Sequence, residues 1–443
     1  VSRMNGQSVR ESLRAQLWPI PLAAVVVALL LGQVLPFLDE QVDDSMPAVT
    51  SGLLFGGGPE AARSLLETIA SSTITVTSLT FSLTVVTLQL ASSQFSPRLL
   101  RTFSRDRFVH NTLALFLATF VYALTVLRSI RVESSAGASF VPEIAVTAAF
   151  MLTIATVVGL VLFLAHLATQ IRVETMLRDV HRETEDTLKR IYPEQGSEDN
   201  DDVLPRSGGV SLRAPRSGFL TRVDEEALMA SAAREAVFVC VDVAPGTSLV
   251  KGIPIARVWS TSEAPLDKER CAEVADGMLA AFRTGFERTS SQDPSFGLQQ
   301  LLDVTDKALS PGVNDPTTAV HAISHISAIL CSLTSRSTGS RTLTDAEGTA
   351  RVQLTLPSFN GLLDLVMDQL ITYAVTDPRT AGRTIEMLSE IAISATDAGS
   401  LTHLAAPLHT HLRRVRTSIK ASPLDAVIQQ NLTDKLTGIK LWE

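Results

Sequence analysis

The chain has 443 residues and a formal net charge of −8; charged residues make up 19% of it, yet its mean hydropathy is positive. That length admits two or three domains. The acidic balance and the lack of any Lys/Arg-rich block exclude nucleic acid as an expected partner, because neutralising phosphates takes a basic surface. Cys240, Cys271 and Cys331 are odd in number, far apart and in no CxxC spacing. Neither a disulfide framework nor a structural zinc site is expected, and no cofactor is implied.

Charge is segregated along the chain. Leu17 to Val173 is poor in charge and contains four apolar runs, Leu17–Leu38, Leu65–Leu90, Phe108–Leu127 and Ile144–Thr169. Each is long enough to cross a hydrocarbon core of about 30 Å. The first run is too long for the apolar core of a signal peptide and is followed by further spans, so it reads as a membrane helix. Arginines set the orientation. Arg3, Arg10 and Arg14 precede the first span, Arg98, Arg101, Arg105 and Arg107 follow the second, and Arg172 and Arg178 follow the fourth. These segments are expected in the cytoplasm, with both termini, in a multi-pass protein of the plasma (inner) membrane. The first outer loop is acidic, with Asp39, Glu40, Asp43 and Asp44; the second holds Arg128, Arg131 and Glu133.

The second span is unusually polar. At 100° per residue its hydroxyls fall into two stripes on nearly opposite faces. One stripe is Ser71, Thr75, Ser78 and Ser82, continuing to Gln89 and Ser93; the other is Thr73, Thr77, Thr80, Thr84 and Thr87. A helix polar on two faces is expected at the centre of the bundle. Packing explains both stripes, since Ser and Thr bond to carbonyls one turn back and let helices approach closely. The functional reading gives one stripe to packing and makes Ser71, Thr75, Ser78, Ser82 and Gln89 the lining of a hydrated path. No ionisable residue lies mid-span in this helix, which argues against proton-coupled transport. His110 and His166 are read as interfacial.

Two segments are distinctive. One is Leu88-Gln89-Leu90-Ala91-Ser92-Ser93-Gln94-Phe95-Ser96-Pro97-Arg98 with Arg105-Asp106-Arg107; the other is Ala308-Leu309-Ser310-Pro311-Gly312-Val313-Asn314-Asp315-Pro316. With them the chain resembles, from the second span into its soluble part, a family of bacterial predicted membrane proteins defined by a domain of unknown function. The resemblance implies a plasma-membrane protein with a cytosolic domain and brings no assigned reaction. In the first segment Pro97 breaks the second helix or starts a new one. Arg98, Arg101, Arg105 and Arg107 then either set topology alone or, at the cytoplasmic mouth, bind anionic lipid headgroups or the protein's own carboxylates. In the second, Ser310-Pro311-Gly312 is a turn, and Asn314 or Asp315 caps a new helix with Pro316 in its first turn. A corner made by Asp303, Asn314 and Asp315 is the candidate for a small ligand or cation.

The soluble part opens with a polar helix leaving the membrane and a linker ending in Gly196–Asp202. Short strands punctuated by Gly and Pro follow, from Val210 to Trp259. Their spacing resembles the barrel-sandwich hybrid of biotinyl and lipoyl domains. No lysine lies between Val210 and Val250, so a carrier role is not expected and the module reads as a spacer or assembly element. From Leu266 onward a helical period predicts an all-α bundle, with helices over Cys271–Phe286, Phe296–Leu309, Thr317–Leu333, Leu356–Ala374, Thr380–Ser394, Leu401–Ile419 and Pro423–Leu441. The expected organisation is a transmembrane domain (1–173), exit helix and linker (174–206), β module (207–262) and α-helical cytosolic domain (263–443).

His321 and His325, four apart on one helix face, have the spacing of a two-histidine metal pair. No Glu lies between them and neither belongs to the family motif, so no metal site is assigned. The histidines at 403, 409 and 411 beside Arg413, Arg414 and Arg416 read as a basic surface. No GxSxG, P-loop or strand–GxGxxG–helix motif is present, so no enzyme is expected. The leading expectation is an oligomeric channel with a lean toward cations, formed on a symmetry axis and lined by the second span. Membrane lipids, ions and copies of the chain are its partners. A non-catalytic sensor or scaffold and, third, a metal-dependent membrane enzyme are the alternatives.

Overall fold

The computed structural model describes residues 18–42, 54–94, 106–131, 140–170, 172–194, 209–261, 275 and 277–439. The chain divides between Arg172 and Val173 into two compact units.

The first unit holds α1 (Pro19–Val42), α2 (Pro59–Gln94), α3 (Arg107–Leu127) and α4 (Glu143–Gln170). All four are long and apolar enough to cross a membrane, as the sequence predicts. α3 packs against each of the other three. It is also the most enclosed: 56% of its apolar window is buried, against 28% for α2. The expectation that α2 occupies the centre is therefore corrected. Threonine hydroxyls explain why polarity did not force α2 inward. Those of Thr73, Thr77, Thr84 and Thr87 donate to the carbonyls four residues back, at 2.6 to 2.8 Å, so they need no partner helix. A cluster of Ala62, Leu66, Ile69, Ala70, Tyr122, Ala123 and Val126 holds one end of α2 level with one end of α3. At 1.5 Å per residue the 36-residue α2 is about 54 Å long and the 21-residue α3 about 32 Å, so α2 overshoots at the other end, where Gln89 lies.

The second unit begins with α5 (Val173–Ile191), whose apolar side packs on α7 (Pro294–Ala308) and α8 (Pro316–Leu333). Between them in the chain lie β1 (Val210–Arg213), β2 (Gly218–Val223), α6 (Glu225–Arg234), β3 (Val237–Val241), β4 (Ser248–Leu249), β5 (Pro254–Ser260) and β6 (Phe282–Gly285). After α8 come β7 (Ser340–Thr344), β8 (Ala350–Thr355), α9 (Phe359–Tyr373), α10 (Pro378–Asp397), α11 (Leu401–Ala421) and α12 (Ala426–Thr437). The helices of the carboxy-terminal part fall close to their predicted spans. Three of them, α7, α8 and α10, open on Asp-Pro: Asp293, Asp315 and Asp377 accept backbone N–H groups of the first turn and the proline sits at its start.

The strands depart from expectation. They form two sheets, β1-β5-β3-β8-β7 and β4-β2-β6, and no closed barrel is seen among the described residues. β7 and β8, predicted as a break between helices, are a hairpin whose second strand pairs parallel with β3 through Val239–Val352 and Val241–Leu354. β6 replaces the end of the helix predicted over Cys271–Phe286 and pairs with β2. β3 is buried at all five positions. Val237, Val239 and Val241 face a core with Leu220, Leu228 and Ile255, while Phe238 and Cys240 pack with Trp259. A strand covered on both sides reads as a continuous apolar run, as this one does. The helices are thus joined to the strands in one unit rather than standing as an all-α bundle.

Candidate functional site

α2 carries the residues singled out for a path. Its threonine stripe faces the bundle: Thr73, Thr77, Thr80, Thr84 and Thr87 are buried, Thr80 completely. Among the described residues the Thr80 hydroxyl finds no hydrogen-bond partner. Its serine stripe faces outward: Ser71, Thr75, Ser78, Ser82 and Gln89 are exposed on the isolated unit, among Ile74, Leu79, Phe81, Val85 and Val86. The Ser71 hydroxyl donates to the Thr68 carbonyl at 3.1 Å and that of Thr75 to the Ser71 carbonyl at 2.8 Å. The structure therefore sets the two stripes apart, the threonine stripe packed in the bundle and the serine stripe exposed.

Each end of the four-helix unit holds a carboxylate tied to a helix terminus. Asp39 on α1 is 5% exposed and accepts from the Ile144 and Ala145 backbone N–H groups, both at 3.0 Å, at the start of α4. A carboxylate there satisfies orphan donors and complements the helix dipole. Its neighbour Glu40 pairs with Arg131 at 3.4 Å. So part of the acidic outer loop is used internally; Asp43 and Asp44 lie outside the described residues. At the other end Asp106 caps α3, accepting from the Phe108 N–H at 2.8 Å, and meets His166 Nε2 of α4 at 2.5 Å. The Phe108 and His166 rings are 4.6 Å apart. His110, one turn along α3, is 2% exposed. Of the two histidines read as interfacial from sequence, His110 is buried and His166 meets the Asp106 carboxylate. Arg107 is the exposed first residue of α3; Arg98, Arg101 and Arg105 lie outside the described residues.

In the second unit the Asp303–Asn314–Asp315 corner is dominated by capping. Asp315 Oδ1 accepts from the Thr317 and Thr318 N–H groups at 3.1 Å, and Oδ2 accepts from the Thr318 hydroxyl at 2.6 Å. The Thr318 hydroxyl bond leads the interactions that hold its carboxyl below the usual carboxylate range. Asn314 adopts φ +49°, the left-handed conformation that Asn tolerates in turns. Asp303 lies on α7 and bonds Gln299 at 2.9 Å. Beside it, burial and the Asp303 charge push the Asp306 carboxyl up to about 6.

His321 and His325 share a face of α8, and the structure adds a third histidine. His181 of α5 lies with its ring 5.1 Å from that of His325, although 144 residues separate them and no local spacing announces it. Burial, then His181 and His321, holds the His325 imidazole below its ordinary range. Among the described residues no three His, Cys, Asp or Glu side chains converge as metal ligands.

A family described as predicted membrane protein, DUF2254, matches residues 14–390. The chain belongs to this family. Uncharacterized proteins of Mycobacterium bovis and Mycobacterium tuberculosis are each 33% identical to it, over 401 and 399 residues respectively, covering 88% of this chain and 74% of theirs. No solved structure matches it significantly. The α2 end with the loop into α3, and the α7–α8 turn, both fall inside the family's span.

Proposed function

We propose that this DUF2254 protein forms an oligomeric pore in the plasma membrane, lined by Ser71, Thr75, Ser78, Ser82 and Gln89 of α2. The observation that supports it is the outward placement of that stripe while the threonine stripe fills the bundle. Four helices enclose little space, so a path forms where copies of the chain meet on a symmetry axis. The outward stripe is then the surface that copies bring together. The lean toward cations rests on the acidic first outer loop, less the Asp39 carboxylate, which α4 uses. The arginine distribution supports a cytoplasmic location for both termini and the second unit, and the second unit assembles or gates the pore without catalysis.

The test is ion flux through purified protein in liposomes, comparing wild type with Ser78→Leu/Ser82→Leu. Both serines are exposed on the single chain, so leucine there leaves its internal packing intact. Flux that disappears in an equally assembled variant supports the pore. No wild-type flux under voltage, tension or pH change refutes it and leaves the scaffold reading, in which the back-bonded hydroxyls only pack.

A further inference from the structure

The β4-β2-β6 sheet ends in a tip built by three chain segments. Gly218 at the start of β2 is paired with Leu249 of β4, and Phe219 with Gly285 of β6. The residues that run on from these pairs, Val250 and Phe286, therefore emerge together beside the 214–217 turn. Val250 to Ile253 is a tight turn closed by the Ile253 N–H donating to the Val250 carbonyl at 3.1 Å. Gly252 at φ +85° takes the position that a type II turn reserves for glycine. Bonds from the Gly252 N–H to the Ala214 carbonyl and from the Ala214 N–H to the Ile253 carbonyl, both 2.9 Å, lock this turn to the first segment. The Lys251 N–H adds a bond to the Ser217 hydroxyl at 3.0 Å.

This rigid tip presents apolar side chains to solvent. Phe286 is 95% exposed, Val250 58% and Ile253 55%. Scattered exposed apolar residues are ordinary, but three large ones gathered on adjoining turns mark a surface that has a partner. Cations surround them. Arg213 donates to the Gly252 carbonyl at 2.7 Å, Arg216 donates to the Thr284 hydroxyl, and Lys251 stands at the apex of the turn. No ion pair to any of the three is formed among the described residues. Glu287 is the one carboxylate in the segments 213–218, 249–254 and 284–287. In a chain of net charge −8, this tip is locally cationic.

We infer that the Val250–Ile253 turn and Phe286 form a membrane-docking tip that inserts its apolar side chains among anionic phospholipids while Arg213, Arg216 and Lys251 meet the headgroup phosphates. Apolar side chains ringed by cations are the chemistry of an interfacial anchor. The same chain carries four helices long and apolar enough to cross a membrane, so a lipid surface is a partner it meets. A second copy offering the same tip would set like charges against each other. The inference holds whether or not α2 lines a pore.

Hydrogen exchange of the full-length protein in nanodiscs tests it, comparing phosphatidylcholine alone with phosphatidylcholine mixed with phosphatidylglycerol. Amides of residues 213–219, 249–254 and 283–287 are expected to exchange more slowly in the anionic discs. Arg216→Ala/Lys251→Ala is expected to shift docking about thirtyfold toward the free tip, restoring the rate seen in the neutral discs. Phe286→Ser is expected to do the same while keeping the wild-type melting temperature, because that side chain supports no packing. Equal exchange in the two lipids overturns the inference, and so does protection that survives both variants. Protection that appears in detergent and grows with protein concentration also overturns it, and assigns the tip to a second copy.

Discussion

Replacing Asp315 separates a capping role from a charge-dependent site at the turn between α7 and α8. Its carboxylate accepts three hydrogen bonds from Thr317 and Thr318, and these are what alanine removes. Losing an N-cap acceptor costs about 1 kcal/mol, with a range of roughly 0.5 to 2. For a unit of this size that lowers the melting temperature by about 2 to 4 °C. Asn and Ser cap nearly as well as Asp, so Asp315→Asn and Asp315→Ser are expected within about 0.5 kcal/mol of wild type. The assay is thermal unfolding of the full-length protein in detergent, read through Trp259, which lies in the sheet of the second unit. The pH dependence carries the same information. A carboxyl whose folded pKa is depressed contributes stability above its unfolded value, and that contribution is lost as pH falls through the folded value. Asp315→Ala should therefore differ from wild type near neutrality and converge with it in acid. An Asp315→Asn variant as damaged as Asp315→Ala would refute the reasoning, because it would show that the charge is needed for something other than capping.

Two further outcomes are expected. A Cβ at Gly297 would lie 1.9 Å from the Thr184 hydroxyl oxygen and 2.9 Å from the Thr184 Cβ, both buried where α5 crosses α7. Gly297→Ala should then cost about 1 to 3 kcal/mol by overpacking, with partial recovery in Thr184→Ala/Gly297→Ala; equal melting temperatures for wild type and the single variant would sink this. His411, 1% exposed and 2.8 Å from Asp364, is held below its ordinary pKa, burial outweighing the carboxylates. A depressed histidine means that the unfolded chain binds more protons as pH drops below about 6.5, so stability falls there. In denaturant melts at pH 7.5 and 5.5, His411→Gln should show a smaller pH-dependent loss than wild type, and an unchanged loss would contradict it.

Periodicity carried the helical part of this fold a long way. The four spans and α7 to α11 lie near the positions their apolar spacing predicts, because such patterns report local geometry. β6, β7 and β8 were illegible for the complementary reason. They are four to six residues long; β6 and β8 pair with strands roughly 60 and 110 positions away in the chain, and β7 joins the sheet through its hairpin with β8. On α2 the sequence shows two hydroxyl stripes on opposite faces but not that the helix sits off the centre of the bundle, with one of them exposed. Hydroxyls on both faces back-bond to carbonyls of their own helix, so hydrogen bonding alone does not decide which face is buried. The Asp106–His166 pair and the approach of His181 to His325 were hidden similarly: each joins residues on different helices with no shared spacing. The helix start at Asp315-Pro316, by contrast, was readable from the dipeptide alone.

The parallel pairing of β3 with β8 has a consequence for how the second unit folds. β3 is apolar at every position, and one of its edges stays open until two helices and a hairpin have been made and brought back to it. Until then the chain presents a short sticky template of the kind that recruits other chains into aggregates. Such distant closure is also slow. A chain interrupted before residue 340 should therefore fail as a whole, with its strands aggregating, rather than yield a folded β half. In the cell making this protein, the interval between synthesis of β3 and arrival of β8 is the period in which a holding chaperone would matter most.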